Sequence, residues 1–147
     1  LTFLAESLDN LTASLNATLM SSEIEIGSAE SGASKLNDKR PMVGQSPYVV
    51  NAGLTYTSDG GSTSFTALYN IFGKRIVSAA EVPLPDAYEQ PRSQLDLAFR
   101  FPIKSGLNAK FDLKNALDSE YKITQGTVTR ESYRGGRVFS AGFSWQP

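Results

Sequence analysis

The chain of 147 residues has no cysteine and no histidine. The first absence removes a disulfide frame, a zinc–thiolate site and a cysteine nucleophile. It fits an oxidising compartment, where a stray thiol is a liability. The second removes the commonest general base and metal ligand, and with them a Ser–His hydrolase. An excess of charge is also missing. Fourteen basic residues stand against 15 acidic ones, a formal net charge of -1. That balance gives no field for nucleic acid or an acidic membrane surface. No apolar run approaches the roughly 20 residues of a membrane helix, and the opening LTFLAESLDN lacks the basic start and long apolar core of a signal peptide. The chain reads as cut from something longer.

What is present is alternation. NLTASLNATLM places Leu11, Ala13, Leu15, Ala17 and Leu19 on one side and Thr12, Ser14, Asn16 and Thr18 on the other. YVVNAGLTY, SFTALYNIF, SQLDLAFRF, LNAKFDLKN and RVFSAGFSWQ repeat the pattern. A sustained period of two is the strand signal. It predicts about six strands, most of nine residues or more. Globular strands average about 5–6 residues, whereas strands crossing a bilayer need about 9–11. The fold class expected is therefore all-β, with antiparallel up-and-down transmembrane barrel strands. The predicted lipid-facing residues are Leu95, Leu97, Phe99, Phe101, Phe111, Leu113, Phe139, Phe143 and Trp145. Tyr48, Tyr56, Tyr69, Phe139 and Trp145 are placed mostly near strand ends, where interfacial aromatics gather. A soluble β-sandwich is the alternative, since its strands alternate too.

Connections alternate in length. Residues 27–46, 78–92 and 119–136 are long; 58–61 and 104–106 are tight. All long loops thus fall at one end of the sheet, as in outer-membrane barrels. Taking Lys104, Ser105 and Gly106 as a three-residue hairpin loop sets Asp96 opposite Lys114 and Arg100 opposite Lys110, diagonal to Asp112.

Five stretches carry a resemblance: RPMVGQSPYVVNAGLTY, LYNIFGKRI, PDAYEQPRSQLDL, KNALDSEYKITQG and YRGGRVFSAGFSW, in that order. Together they resemble the C-terminal barrel strands of TonB-dependent outer-membrane receptors, over about residues 10–145. The resemblance implies a barrel of about 22 strands around an N-terminal plug. It implies active uptake of a scarce nutrient at the bacterial cell outer membrane. Residues 1–147 would be the C-terminal part of that barrel, without the plug. The implied partners are the rest of the barrel and its plug, the TonB complex through the plug, and outer-membrane lipid and lipopolysaccharide; nucleic acid is not among them. A plugless pore or adhesin barrel and a soluble β-rich binding module are the rival functions. Family members commonly end in an aromatic residue, whereas Gln146 and Pro147 follow Trp145.

No residue constellation suggests catalysis, so the reading is not an enzyme, and it calls for no cofactor. Glu23 and Glu25 share a face as solvated carboxylates. Gly44-Gln45-Ser46-Pro47 reads as a turn entering a strand. Gly73-Lys74-Arg75 reads as a bend where a strand leaves the bilayer, its charges available to lipopolysaccharide phosphates. Asp86, Tyr88, Glu89 and Arg92 are assigned to an external loop, as surface or ion-paired residues before ligand contacts. A calcium site from Glu81, Asp86 and Glu89 matches no defined spacing. Asn115, Asp118, Glu120 and Tyr121 are expected to continue a strand upward, Asn115 marking a bulge. Arg130, Arg134 and Arg137 are expected to cluster near the top of the last hairpin, as solvated or lumen-facing residues before contacts for an anionic ligand or a lipid A phosphate, Arg130 and Arg134 being the candidate ligand contacts.

Overall fold

The computed structural model describes residues 2–4, 10–25, 39–81 and 83–145, all in strands, turns and loops with no helix. The strands are β1 (Thr2–Leu4), β2 (Leu11–Leu19), β3 (Ile24–Glu25), β4 (Lys39–Arg40), β5 (Tyr48–Thr57), β6 (Ser64–Phe72), β7 (Arg75–Ser78), β8 (Ala87–Glu89), β9 (Arg92–Lys104), β10 (Leu107–Lys114), β11 (Glu120–Gln125), β12 (Val128–Arg134) and β13 (Val138–Trp145). Residues 26–38 of the first long connection and the Gln146-Pro147 ending lie outside the described residues.

The six stretches of alternation form β2, β5, β6, β9, β10 and β13. They pair antiparallel in chain order, with β1 added beside β2, as a seven-stranded meander. This sheet is the wall. The expectation of an all-β antiparallel fold holds. Register explains why the pattern folds this way. Phe139, Leu113, Leu97, Ala67, Leu54 and Ala13 line up in one row across six strands. Ala141, Phe111, Phe99, Phe65, Tyr56 and Leu11 form the next. All nine predicted lipid-facing residues belong to this apolar face. Phe99, Phe101 and Phe111 stack along it, with centroids 5.1 and 6.1 Å apart.

The opposite face is polar. Asn16, Asn51, Asn70 and Gln94 stand side by side on four strands, and Asn70 Nδ2 donates to Asn51 Oδ1 at 2.6 Å. Thr12, Thr55 and Thr66 form a parallel row, with the Thr55 and Thr66 hydroxyls 3.3 Å apart. Cross-strand hydrogen bonds of this kind are the unit of sheet stabilisation.

Three expectations about this sheet need correction. The tight loop between β9 and β10 is two residues, Ser105-Gly106, closing on a Lys104–Leu107 pair. A bulge at Ile103 absorbs the remaining residue, so Arg100 still faces Lys110. Gly106 takes φ 76°, the left-handed conformation that this turn requires. Tyr69 lies inside its strand, opposite Leu95 and Ala52, away from the strand ends. Residues 115–119 interrupt the strand expected to run on. Asn115 and Asp118 adopt φ 53° and 48°. Asp96 Oδ1 accepts the Asn115 N–H at 2.9 Å, so the carboxylate expected opposite Lys114 holds this turn.

The long connections carry a second sheet, β7-β8-β11-β12. β7 prolongs β6, β8 leads into β9, β11 prolongs β10, and β12 leads into β13. The second sheet therefore keeps the neighbour order of the wall and forms a cap beyond its long-loop end. Among the described residues the buried apolar side chains are Ile76, Ala87 and Ala109. The first two belong to the cap, and among the described residues no second layer covers either face of the wall.

Candidate functional site

The densest polar chemistry lies where the wall meets the cap. The last rung of the wall pairs Phe72 with Arg92, both on the polar face. β6 leaves this rung through Gly73, where a Cβ would sit 2.8 Å from the Tyr48 ring and 2.9 Å from Pro47. Only glycine fits such an approach. The buried Ser46 hydroxyl donates to the Gly73 carbonyl at 3.1 Å, and the Gly44 N–H donates to the Ile76 carbonyl at 2.7 Å. The predicted turn at residues 44–47 thus seals the free edge of β7. The bend expected at Gly73-Lys74-Arg75 is a two-residue break between β6 and β7.

Beyond it, Arg75 lies opposite Glu89. Its Nε and Nη2 both donate to Glu89 Oε2, at 2.8 and 2.7 Å. Glu89 is 2% exposed, and its Oε1 has no partner. Asp86, equally buried, accepts the Ala80 N–H at 2.8 Å and faces Arg40 Nη1 at 3.6 Å. Asp86 and Glu89 are therefore internal counter-charges: of the two roles expected, the ion-paired one holds for both and the surface one does not. Breaking such a pair leaves an uncompensated buried charge, which costs about 3–5 kcal/mol. The two carboxylates serve different arginines, and among the described residues no group of acidic side chains is placed to hold a metal.

Arg92 corrects a second placement. It is the first residue of β9, and its guanidinium lies 5.7 Å from both the Phe72 and Tyr121 rings. Arg75 takes the Phe72 ring at 4.8 Å. Tyr121 and Tyr133 are neighbours in register with centroids 4.9 Å apart. The result is an alternating row of cations and rings joining the two loop hairpins to the wall, each contact worth about 0.5–2 kcal/mol. Burial holds the Tyr121 hydroxyl above the usual tyrosine range, and the nearby charges of Glu89 and Glu131 add to it. On the other side of β11, the Ser132 hydroxyl donates to Glu120 and lowers its carboxyl below the usual range. Tyr88 lies under the Lys74 ammonium, 4.1 Å from the ring centre.

The expected arginine cluster is divided. Arg134 Nη1 donates to the Asp118 carbonyl, and Arg137 Nε donates to the Ala116 carbonyl at 2.9 Å. Both hold the turn at residues 115–119. Arg130 stands apart, four residues along β12 in the bulge between the Thr129 and Glu131 pairings. Glu23 is also paired, 3.0 Å from Lys39.

Arg40, Phe72 and Tyr133 were not singled out from the sequence as site residues; Arg75 was read as a bend residue with its charge available to lipopolysaccharide phosphates, whereas it pairs with Glu89, and Tyr121 was read only as a strand residue. A weak signal existed for Arg75, since RIVS after a glycine resumes an extended pattern that sets Arg75 and Val77 on one side. No family model matches this chain, and no curated protein or solved structure matches it.

Proposed function

We propose that this chain is a C-terminal wall and mouth segment of a TonB-dependent outer-membrane receptor, serving active uptake of a nutrient ligand. One observation carries the reading: a wide apolar sheet face without a charged row, backed by a face of amides, hydroxyls and charges of both signs. Lipid suits the first and a wet lumen beside a plug suits the second. Support also comes from the edges. Among the described residues β1 pairs only with β2 and β13 only with β10, and an open edge in lipid leaves backbone groups unsatisfied. In this reading the remaining barrel strands cover both edges. The cap forms part of the external mouth and contributes binding, not catalysis. The TonB complex acts through the plug and touches no residue of this segment.

The test uses the absence of cysteine in this chain. Nitroxides are attached at Leu97→Cys and Ala98→Cys in the native protein in its membrane, after removal of any cysteines elsewhere. Position 97 is expected to be open to dissolved oxygen and closed to a water-soluble nickel chelate, and position 98 the reverse. A label at 97 shielded from both would mean a protein core and would overturn the membrane assignment.

A further inference from the structure

We propose that the polar face of the wall carries an oxyanion seat formed by Arg100 and Lys110. The two cations are directly opposed on β9 and β10, an arrangement that is destabilising unless something offsets it. Lys110 Nζ has a partner in Asp112 Oδ2 at 3.0 Å. Arg100 forms no ion pair or hydrogen bond among the described residues. One carboxylate therefore serves two cations, and a positive charge is left over.

The surroundings are shaped for a small anion. Arg100 and Lys110 line an open concavity of about 550 Å³ with Asn108, Ser62 and Ser144. The register neighbour of Lys110 on β13 is Gly142, where a Cβ would meet nothing within 4 Å. That missing side chain leaves space in front of the ammonium. A guanidinium fork, an ammonium, a side-chain amide and hydroxyls on one concave wall are the donors that a carboxylate or phosphate requires. The ligand class is an oxyanion. Its source is either a free anion or a carboxylate of a neighbouring polypeptide segment. The seat is a property of the polar face and does not depend on what covers the apolar one.

The experiment is thermal unfolding of the purified full-length protein, followed by circular dichroism in non-ionic detergent. Arg100→Gln and Lys110→Gln are compared with Lys104→Gln, which removes the same charge at the hairpin end. In phosphate buffer both seat variants are expected to unfold at least about 1 °C below the control, and Arg100→Lys to keep the wild-type midpoint. Phosphate replacing chloride at equal ionic strength separates the sources. A rise in the wild type that Arg100→Gln abolishes means a seat open to free oxyanions. No rise, with the variants still less stable, means a seat filled by a protein carboxylate. Unchanged or raised midpoints in the seat variants would show only relief of cross-strand repulsion and overturn the proposal. An equal loss in Arg100→Lys and Arg100→Gln would assign the effect to packing and overturn it as well.

Discussion

Placing one lysine on either side of a single peptide bond tests the two-faced wall. Leu97 and Ala98 are adjacent on β9. Leu97 lies between Ala67 and Leu113, in the apolar row that runs from Phe139 to Ala13. Ala98 lies between Thr66 and Asp112 on the polar face. The same substitution therefore meets opposite surroundings with almost no change of position along the strand. A lysine facing lipid near the bilayer midplane costs about 2–4 kcal/mol, falling towards zero at the interfaces. Leu97 stands three rows from the tight-turn end of β10, where Leu107 pairs with Trp145. That depth calls for the middle of the range, roughly 3 kcal/mol, or about a hundredfold in the folding equilibrium. Ala98→Lys sets its ammonium beside the Asp112 carboxylate, which already serves Lys110 at 3.0 Å. An exposed pair of this kind contributes about 0–1 kcal/mol.

The assay is urea unfolding in lipid vesicles, read by the mobility difference between unheated and boiled samples. Leu97→Lys should lower the midpoint sharply, and Ala98→Lys should leave it near wild type. Equal tolerance of both lysines, or greater damage from Ala98→Lys, would refute the assignment of faces. The slope should not change, since neither substitution alters the surface exposed on unfolding.

Gly73→Ala should destabilise by about 1–3 kcal/mol through overpacking against Tyr48 and Pro47, and Gly135→Ala, where a Cβ would meet nothing within 4 Å, should fall within about 0.5 kcal/mol of wild type; chemical denaturation of the two variants decides. Glu89→Gln strips the charge that Arg75 pairs with. Because Arg75 is about one-third exposed, the loss should be roughly 1–3 kcal/mol, and it should be local. Amide exchange should speed up in β8 and β11 and stay unchanged in β9 and β10; uniform acceleration would refute a separate cap. Tyr121 ionises above the usual tyrosine range because of burial and the Glu89 charge. Its contribution is complete below the unfolded-state value of about 10 and is lost as pH rises through the higher folded value. Tyrosinate absorbance should lose its last-titrating step in Tyr121→Phe, and loss of an ordinary step instead would refute the burial argument.

The wall was legible because strand parity is a local property. Side chains alternate across a strand wherever it lies, so Leu95, Leu97, Phe99 and Phe101 could be assigned to one face before their partners were known. Counting out from the tight turn then gave the Arg100–Lys110 pairing, although the loop is two residues and the bulge at Ile103 restores the count. The cap was not legible for the converse reason. β7, β8 and β11 have four, three and six residues, too few for a period to emerge. Glu89 lies among Tyr88, Gln90 and Pro91 and reads as an exposed acid. Its burial depends on Arg75, fourteen residues earlier, and on β11, thirty-four residues later. The amide row is intermediate. Asn16, Asn51, Asn70 and Gln94 each sat on the polar side of a predicted strand, but their common level required the register of three pairings.

The size of the apolar face bears on which environment covers it. Six strands about 4.8 Å apart span about 29 Å, and nine residues rising about 3.3 Å each span about 30 Å. The face is then of order 900 Å². The largest exposed apolar patch on a soluble monomer is about 300–600 Å², so this face requires a cover. Phe139, Phe143 and Trp145 on β13 are 75, 69 and 71% exposed, which leaves the cover to something other than the described residues. A second protein layer would satisfy the area alone. Lipid also accounts for the height. Strands of about 30 Å tilted by about 40° rise about 23 Å, close to the apolar band of about 25 Å on outer-membrane barrels. Lipid further accounts for the strand ends, since Trp145 and Tyr56 lie near the tight turns and Tyr48 near the cap. Amphipathic rings at both margins are what the proposed membrane reading expects of a layer with two wet interfaces.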